Sequence, residues 1–181
     1  MMERLGFFFH KSKHFFPPIG KPLEGYTYFT LSTKEKLQTH RHVLTNCAQV
    51  DPYDLKFLAM GPIDCAKCYS AYNVNGFKFH TLERDQGLKT QNSGIFGTFG
   101  TRSYASSSDN QMQFGDVPYY GKLLGIIEIN YQGRFSVTLL KCVWANTTTS
   151  KGIVKFDLGF TLVNFAHLIH TSDDEDYEPY I

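Results

Sequence analysis

Three short polar stretches and one tryptophan hold the side chains with which this chain could do chemistry. Cys65-x-x-Cys68 has half the spacing of a zinc knuckle, and His80 could be imagined as a third ligand. A structural zinc site wants four ligands in tetrahedral geometry, and neither a second Cys-x-x-Cys nor a His-x-x-x-His follows. The pair therefore reads as linker thiols, and no metal is assigned. His80, Glu83, Arg84 and Asp85 fall close together, and a carboxylate beside a histidine is an acid–base arrangement. No nucleophile or cofactor loop accompanies them, so local charge pairs and turn caps are the better reading, and no catalytic or cofactor-binding residue is assigned.

Lys89-Thr90-Gln91-Asn92-Ser93-Gly94 is a run of donors that could bind phosphate or a partner strand. Equally, its Gln and Asn side chains can hydrogen-bond the backbone of a bulged edge strand, with Gly94 taking an unusual dihedral, and this structural role stands first. Trp144, after Lys141-Cys142-Val143, could line an aromatic groove with Tyr119, Tyr120 and Tyr131, as in cages that read methyl-lysine; a lone Trp is more often core. His80, Arg84, Lys89, Gln91, Asn92 and Trp144 together form the candidate binding surface. Asn146-Thr147-Thr148 fits a glycosylation sequon but needs a secretory route that nothing else supports.

The elements that must position these residues are mostly strands. Asn75-Gly76, flanked by alternating segments, tolerates the two positive φ values of a type I′ turn and predicts a two-residue hairpin loop. The register follows: Val74 faces Phe77, Tyr72 faces Phe79 and Ser70 faces Thr81, while Ala71 with His80 and Asn73 with Lys78 fall on the opposite, mostly polar face. Phe77 and Phe79 are expected to be buried. In Leu123 to Trp144, Ile127, Ile129 and Tyr131 share a face with Phe135, Val137 and Leu139 only if Gln132, Gly133 and Arg134 all belong to the loop; a two-residue loop would mix the faces. Ile153 to Phe156 and Phe160 to Phe165 add one or two short strands, and Gly100 to Gly115, polar and without period, reads as a flexible loop.

Two helices precede the strands. Ser32 and Glu35 fit a capping box that opens a half-exposed helix reaching about Asn46. Asp51 as N-cap and Pro52 at the first helical position open a second, with Leu55, Leu58 and Ala59 on one side and Gly61-Pro62 as its stop. Residues 1 to 30 are rich in Phe, Pro and Gly; Phe7 to Phe9, Phe15 and Phe16 read as aromatics that have lost a packing partner. The fold class is therefore mainly β, an α+β chain with a small SH3-like β-barrel or strongly bent antiparallel sheet. Residues 1–67 form an irregular segment with a short helical connector, and residues 68–181 a β-rich domain, with the boundary in Gly61 to Lys67.

Composition sets the limits. With 42% hydrophobic and 15% aromatic residues, 181 residues can bury one sizeable core. A formal charge of +1 gives no global pull on nucleic acid or anionic membrane, although residues 1–100 carry 12 Lys and Arg against 8 Asp and Glu, and 101–181 carry 6 against 9. The acidic excess, Asp173, Asp174, Glu175, Asp176 and Glu178, reads as a solvated tail. No stretch approaches the ~20 apolar residues of a membrane span. MMERLGFFFHKSK lacks the apolar core and cleavage site of a secretory signal, so Cys47, Cys65, Cys68 and Cys142 are expected as reduced thiols of an intracellular protein.

From His80 to Gly94, and on through YYGKLLGIIEINY, KCVW, DLGFTLVNF and the closing EPYI, the chain resembles the plant domain of unknown function 4216, which sits in and beside transposases of the En/Spm (CACTA) class. GKPLEGYTYFTLSTKEKLQTHRHVLTNCAQVDPY is similar to the segment joining that domain to its upstream neighbour, a transposon-associated domain. Where that family typically has an acidic residue between the Cys and the Trp, this chain has Val143, and the family's counterpart of Cys65 to Cys68 is polar linker. The resemblance implies transposon ancestry without a reaction: a nuclear, non-catalytic binding or assembly module acting on protein or nucleic acid, with no cofactor. Its alternatives are a part of a transposition enzyme whose catalytic domain lies outside this chain, and a decayed gene fragment. Transposase chemistry needs clustered carboxylates holding two Mg²⁺ ions, and the resembling blocks offer isolated Glu128 and Asp157. Relatives continue into a further apolar strand beyond Glu178-Pro179-Tyr180-Ile181, so an open sheet edge prone to self-association is expected here.

Overall fold

The computed structural model describes residues 20–46, 52–104, 112–147, 152–156, 159–169 and 179–180. In chain order these form β1 (Gly20–Pro22), β2 (Tyr26–Thr30), α1 (Thr33–Asn46), α2 (Pro52–Met60), β3 (Cys65–Tyr69), β4 (Ala71–Val74), β5 (Phe77–His80), α3 (Leu82–Asp85), β6 (Gly94–Tyr104), β7 (Met112–Tyr131), β8 (Phe135–Trp144), β9 (Ile153–Lys155) and β10 (Thr161–Val163). Phe7 to Phe9, Phe15, Phe16, Cys47, Asp51, Asp157 and the acidic run from Asp173 lie outside the described residues.

The fold is mainly β with antiparallel sheets, as the alternation predicts, but among the described residues no sheet closes into a barrel. Closure would require one continuous circuit of pairing strands. Instead β4 pairs with β1 and β5 in a separate three-stranded sheet, and β9 pairs with β10 in another. Of the expected loop from Gly100 to Gly115, the described residues are strand, since β6 runs to Tyr104 and β7 starts at Met112, and residues 105–111 lie outside the described residues. Polar composition misleads there because a ladder satisfies the backbone whatever the side chains.

The chain divides into two compact units. Among the described residues, one comprises 20–93, 122–143 and 179–180, and the other 94–121 and 144–169. In the first, α1 begins where the capping box places it: Ser32 N–H donates to Glu35 Oε2 at 3.1 Å and Glu35 N–H donates to Ser32 Oγ at 3.2 Å. Val43 of α1 and Leu58 of α2 join Leu31, Ala66, Ile127, Ile129, Tyr131, Val137, Leu139 and Tyr180 in one buried cluster. Burying a side chain the size of Ile129 completely is worth about 1.5–3 kcal/mol. Core residues thus come from both sides of position 67. Of the three residues expected on one side of α2, Leu58 is buried in the core, whereas Leu55 and Ala59 are exposed.

Both sequence-derived registers hold. Ala71 pairs with His80, Tyr72 with Phe79, Asn73 with Lys78 and Val74 with Phe77, about a turn with φ of 52° at Asn75 and 86° at Gly76. Phe79 is buried as expected, whereas Phe77 is 50% exposed: it stands at the hairpin tip, beyond the elements that cover Phe79. Ala71, on the face read as polar, is completely buried. In the β7–β8 hairpin, Tyr131 stacks on Phe135 with ring centroids 4.6 Å apart and Asn130 Nδ2 donates to Ser136 Oγ at 3.3 Å, which leaves residues 132–134 as the loop. Pro179 and Tyr180 lie along β8, with Cys142 N–H donating to Pro179 O at 2.6 Å.

In the second unit, Ala145 N–H donates to Tyr120 O, and the Trp144 indole lies over the backbone of Gly121, where a Cβ would come within 2.7 Å of the ring. The short strands expected over 153–156 and 160–165 are β9 and β10, and the two pair with each other, Leu162 opposite Val154, while Phe156 N–H donates to Phe160 O.

Candidate binding surface

The turn after β5 gathers most of the polar residues singled out above. Thr81 caps α3, its hydroxyl accepting from Arg84 N–H at 3.4 Å. That single turn brings Asp85 back beneath His80, and the Asp85 side chain is 2% exposed. One carboxylate oxygen lies 2.9 Å from His80 Nδ1 and the other accepts from the Asn92 backbone N–H at 2.6 Å. A carboxylate only accepts, so Nδ1 carries the proton in the His80–Asp85 bond. His80 N–H donates to Asn92 O at 3.1 Å, and Leu123 N–H donates to Ser93 O at 2.8 Å, so residues 92 and 93 join the end of β5 to β7. Asn92 and Ser93 thus link strands, and Gly94, expected to take an unusual dihedral, opens β6 without a positive φ.

Arg84 bonds Glu24 through Nη1 and lies 3.4 Å from Ser70 Oγ, which itself donates to Glu24 at 3.0 Å. The Arg84 and Ser70 hydrogen bonds hold the Glu24 carboxyl below the usual carboxylate range. The Arg84 Nε is buried without an acceptor among the described residues. His80, Arg84 and Asn92 are therefore brought together, each engaged in contacts that hold the bend. Lys89 and Gln91 are exposed on the loop that follows α3.

Trp144 belongs to the other unit, where it meets the Tyr119 ring edge-on at 6.1 Å, and Tyr120 packs on Phe96 at 5.1 Å. Tyr131 does not line an aromatic groove: it is fully buried, stacked on Phe135, with its hydroxyl 3.1 Å from His40 Nδ1. Cys65 and Cys68 lie on β3, where a spacing of three sends the side chains to opposite faces, so the pair cannot converge on one ion.

Two groups escaped the reading from sequence. The first is a polar and aromatic cluster on the sheet face away from α1 and α2. There Glu128 accepts from Lys67 Nζ and from Tyr69 OH, both at 2.8 Å, and Lys67 lies 5.0 Å from the centre of the Tyr26 ring. Burial, then the Glu128 bond, pushes the Tyr69 hydroxyl well above the usual tyrosine range, and that bond raises the Lys67 ammonium. Glu128 thus has protein partners. The second is an apolar face on β9–β10, where Val154, Phe156, Phe160 and Leu162 are 45%, 52%, 45% and 62% exposed. Alternation at positions 154, 156, 160 and 162 was the available signal.

No curated protein and no solved structure matches this chain. Residues 127–181, covering the end of β7 together with β8, β9 and β10, match the family described as Domain of unknown function (DUF4216), and the block from His80 to Gly94 lies before that match. Over its C-terminal segment, the chain is similar to that family.

Proposed function

We propose that this chain is a non-catalytic binding or assembly module of the En/Spm transposon-associated type, nuclear in location, which engages a protein partner through exposed apolar side chains. The observation that carries this reading is the β9–β10 face, four large apolar residues presented together by cross-strand pairing. A contiguous exposed apolar face marks an interaction site more often than scattered hydrophobic residues do. The polar residues favour the same reading. The His80–Asp85 pair holds a bend, and the cations Arg84 and Lys141 are paired with Glu24 and Glu35.

The test titrates the purified chain with synthetic apolar peptides, a short DNA duplex and a single-stranded oligonucleotide at low and high salt. Peptide binding that changes little with salt and is lost in Leu162→Asp is the expected result. Duplex binding that collapses with salt and depends on Lys78 and Lys89 would replace the protein partner with nucleic acid. Cleavage of the duplex in the presence of Mg²⁺ would replace the module with an enzyme.

A further inference from the structure

The five residues of β2 pair with β3 and with no other described strand. The ladder continues with Leu31 N–H donating to Asp64 O at 2.8 Å, in the same register as Phe29 with Ala66 and Thr27 with Cys68. In an antiparallel pair the residues alternate between exchanging both bonds with the neighbour and turning both groups away. Thr27 and Phe29 therefore bond inward, and Tyr26, Tyr28 and Thr30 direct their N–H and C=O groups outward from the sheet. The side chains of Tyr26 and Tyr28 are 48% and 63% exposed. Proteins blunt such edges with Lys, Pro or a bulge. Tyr26–Thr30 contains no charged residue and no Pro, and its ladder with β3 is regular throughout.

We propose that a second copy of this chain pairs with this edge, the two β2 strands running antiparallel about a twofold axis at Tyr28. The choice of occupant rests on self-complementarity. With Tyr28 opposite the partner's Tyr28 and Tyr26 opposite the partner's Thr30, every outward amide and carbonyl of the strand finds a partner. A one-residue slip would set outward groups against inward ones, and a two-residue slip would leave a bonded pair unmade. In the favoured register Glu24, held by Arg84 and Ser70, falls opposite the partner's Ser32, so no like charges meet. The paired tyrosines and the Tyr–Thr pairs are favourable cross-strand neighbours. This pairing goes beyond the binding reading above and does not depend on what the β9–β10 face engages.

Sedimentation equilibrium over a concentration series tests it, with wild type, Tyr28→Lys, Tyr28→Glu and an equimolar mixture of the two variants. Wild type dimerises, each variant alone dissociates at least about tenfold more readily because like charges meet at the axis, and the mixture recovers dimer. Hydrogen exchange on wild type gives a measurement that needs no variant: the Tyr26, Tyr28 and Thr30 amides gain protection as concentration rises. A wild type that stays monomeric overturns the proposal. So does a dimer whose three amides exchange as fast as in the monomer, or one that Leu162→Asp breaks and the Tyr28 variants leave intact.

Discussion

A buried carboxylate is tolerated when its oxygens are hydrogen-bonded, and Asp85 meets that condition through His80 and the Asn92 amide. Asp85→Ala leaves both donors without an acceptor and should cost about 1–3 kcal/mol by denaturant unfolding, with Asp85→Asn costing less because its carbonyl still accepts. His40 contributes to the pH dependence of stability near neutrality. Burial, and then the nearby Lys36, hold its imidazole below the ordinary histidine range. The unfolded chain therefore binds this proton at higher pH than the folded one, so the contribution to stability is complete above about pH 6.5 and is lost as pH falls toward the folded value. Unfolding midpoints of wild type should decline between about pH 7 and pH 5 more than those of His40→Gln. An NMR titration of His40 with a midpoint at or above the ordinary value would contradict this.

Hairpins and caps decide the behaviour of the elements. Phe79 packs inward from β5 and Phe77 does not, so Phe79→Ala should cost about 3–5 kcal/mol and Phe77→Ala within about 0.5 kcal/mol, both read as shifts in denaturant midpoint. Equal losses at the two positions would mean that the tip of the hairpin is covered after all. Gly121 has a different role, since its missing side chain leaves room for the Trp144 ring. Gly121→Ala should displace the indole and destabilise its unit by about 1–3 kcal/mol. Trp144 is the sole tryptophan, so its emission should shift to the red in the folded variant.

For the whole molecule, charge limits what it can do with nucleic acid. The net formal charge is +1, and Arg84 and Lys141 are each paired internally. Lys78 and Lys89 are the exposed cations of the hairpin and the loop beyond it. If these two neutralise phosphates on a duplex, log affinity should fall against log salt with a slope no steeper than about −2. Fluorescence anisotropy across a salt series measures it, and a much steeper slope would reveal a basic surface that the charge pattern conceals.

What the sequence determined by itself was local. Asn75-Gly76 accepts positive φ, Ser32 and Glu35 reach each other across one turn, and period-two alternation admits only a three-residue loop after Tyr131; each depends on residues near one another in the chain. The resemblance likewise pointed to the family matched by residues 127–181. Tertiary structure decided the rest. Whether Phe77 is covered depends on elements outside its own hairpin, and a barrel depends on whether distant strands meet. Here β4 pairs with Gly20–Pro22, and β3 lies between β2 and β7, choices made by the packing of segments far apart in sequence. The candidate surface divides in the same way. Local spacing already suggested charge pairs among His80, Arg84 and Asp85, but only the fold brings Glu24 against Arg84 and the Asn92 amide against Asp85, and a polar group already engaged by a neighbour offers little to a ligand.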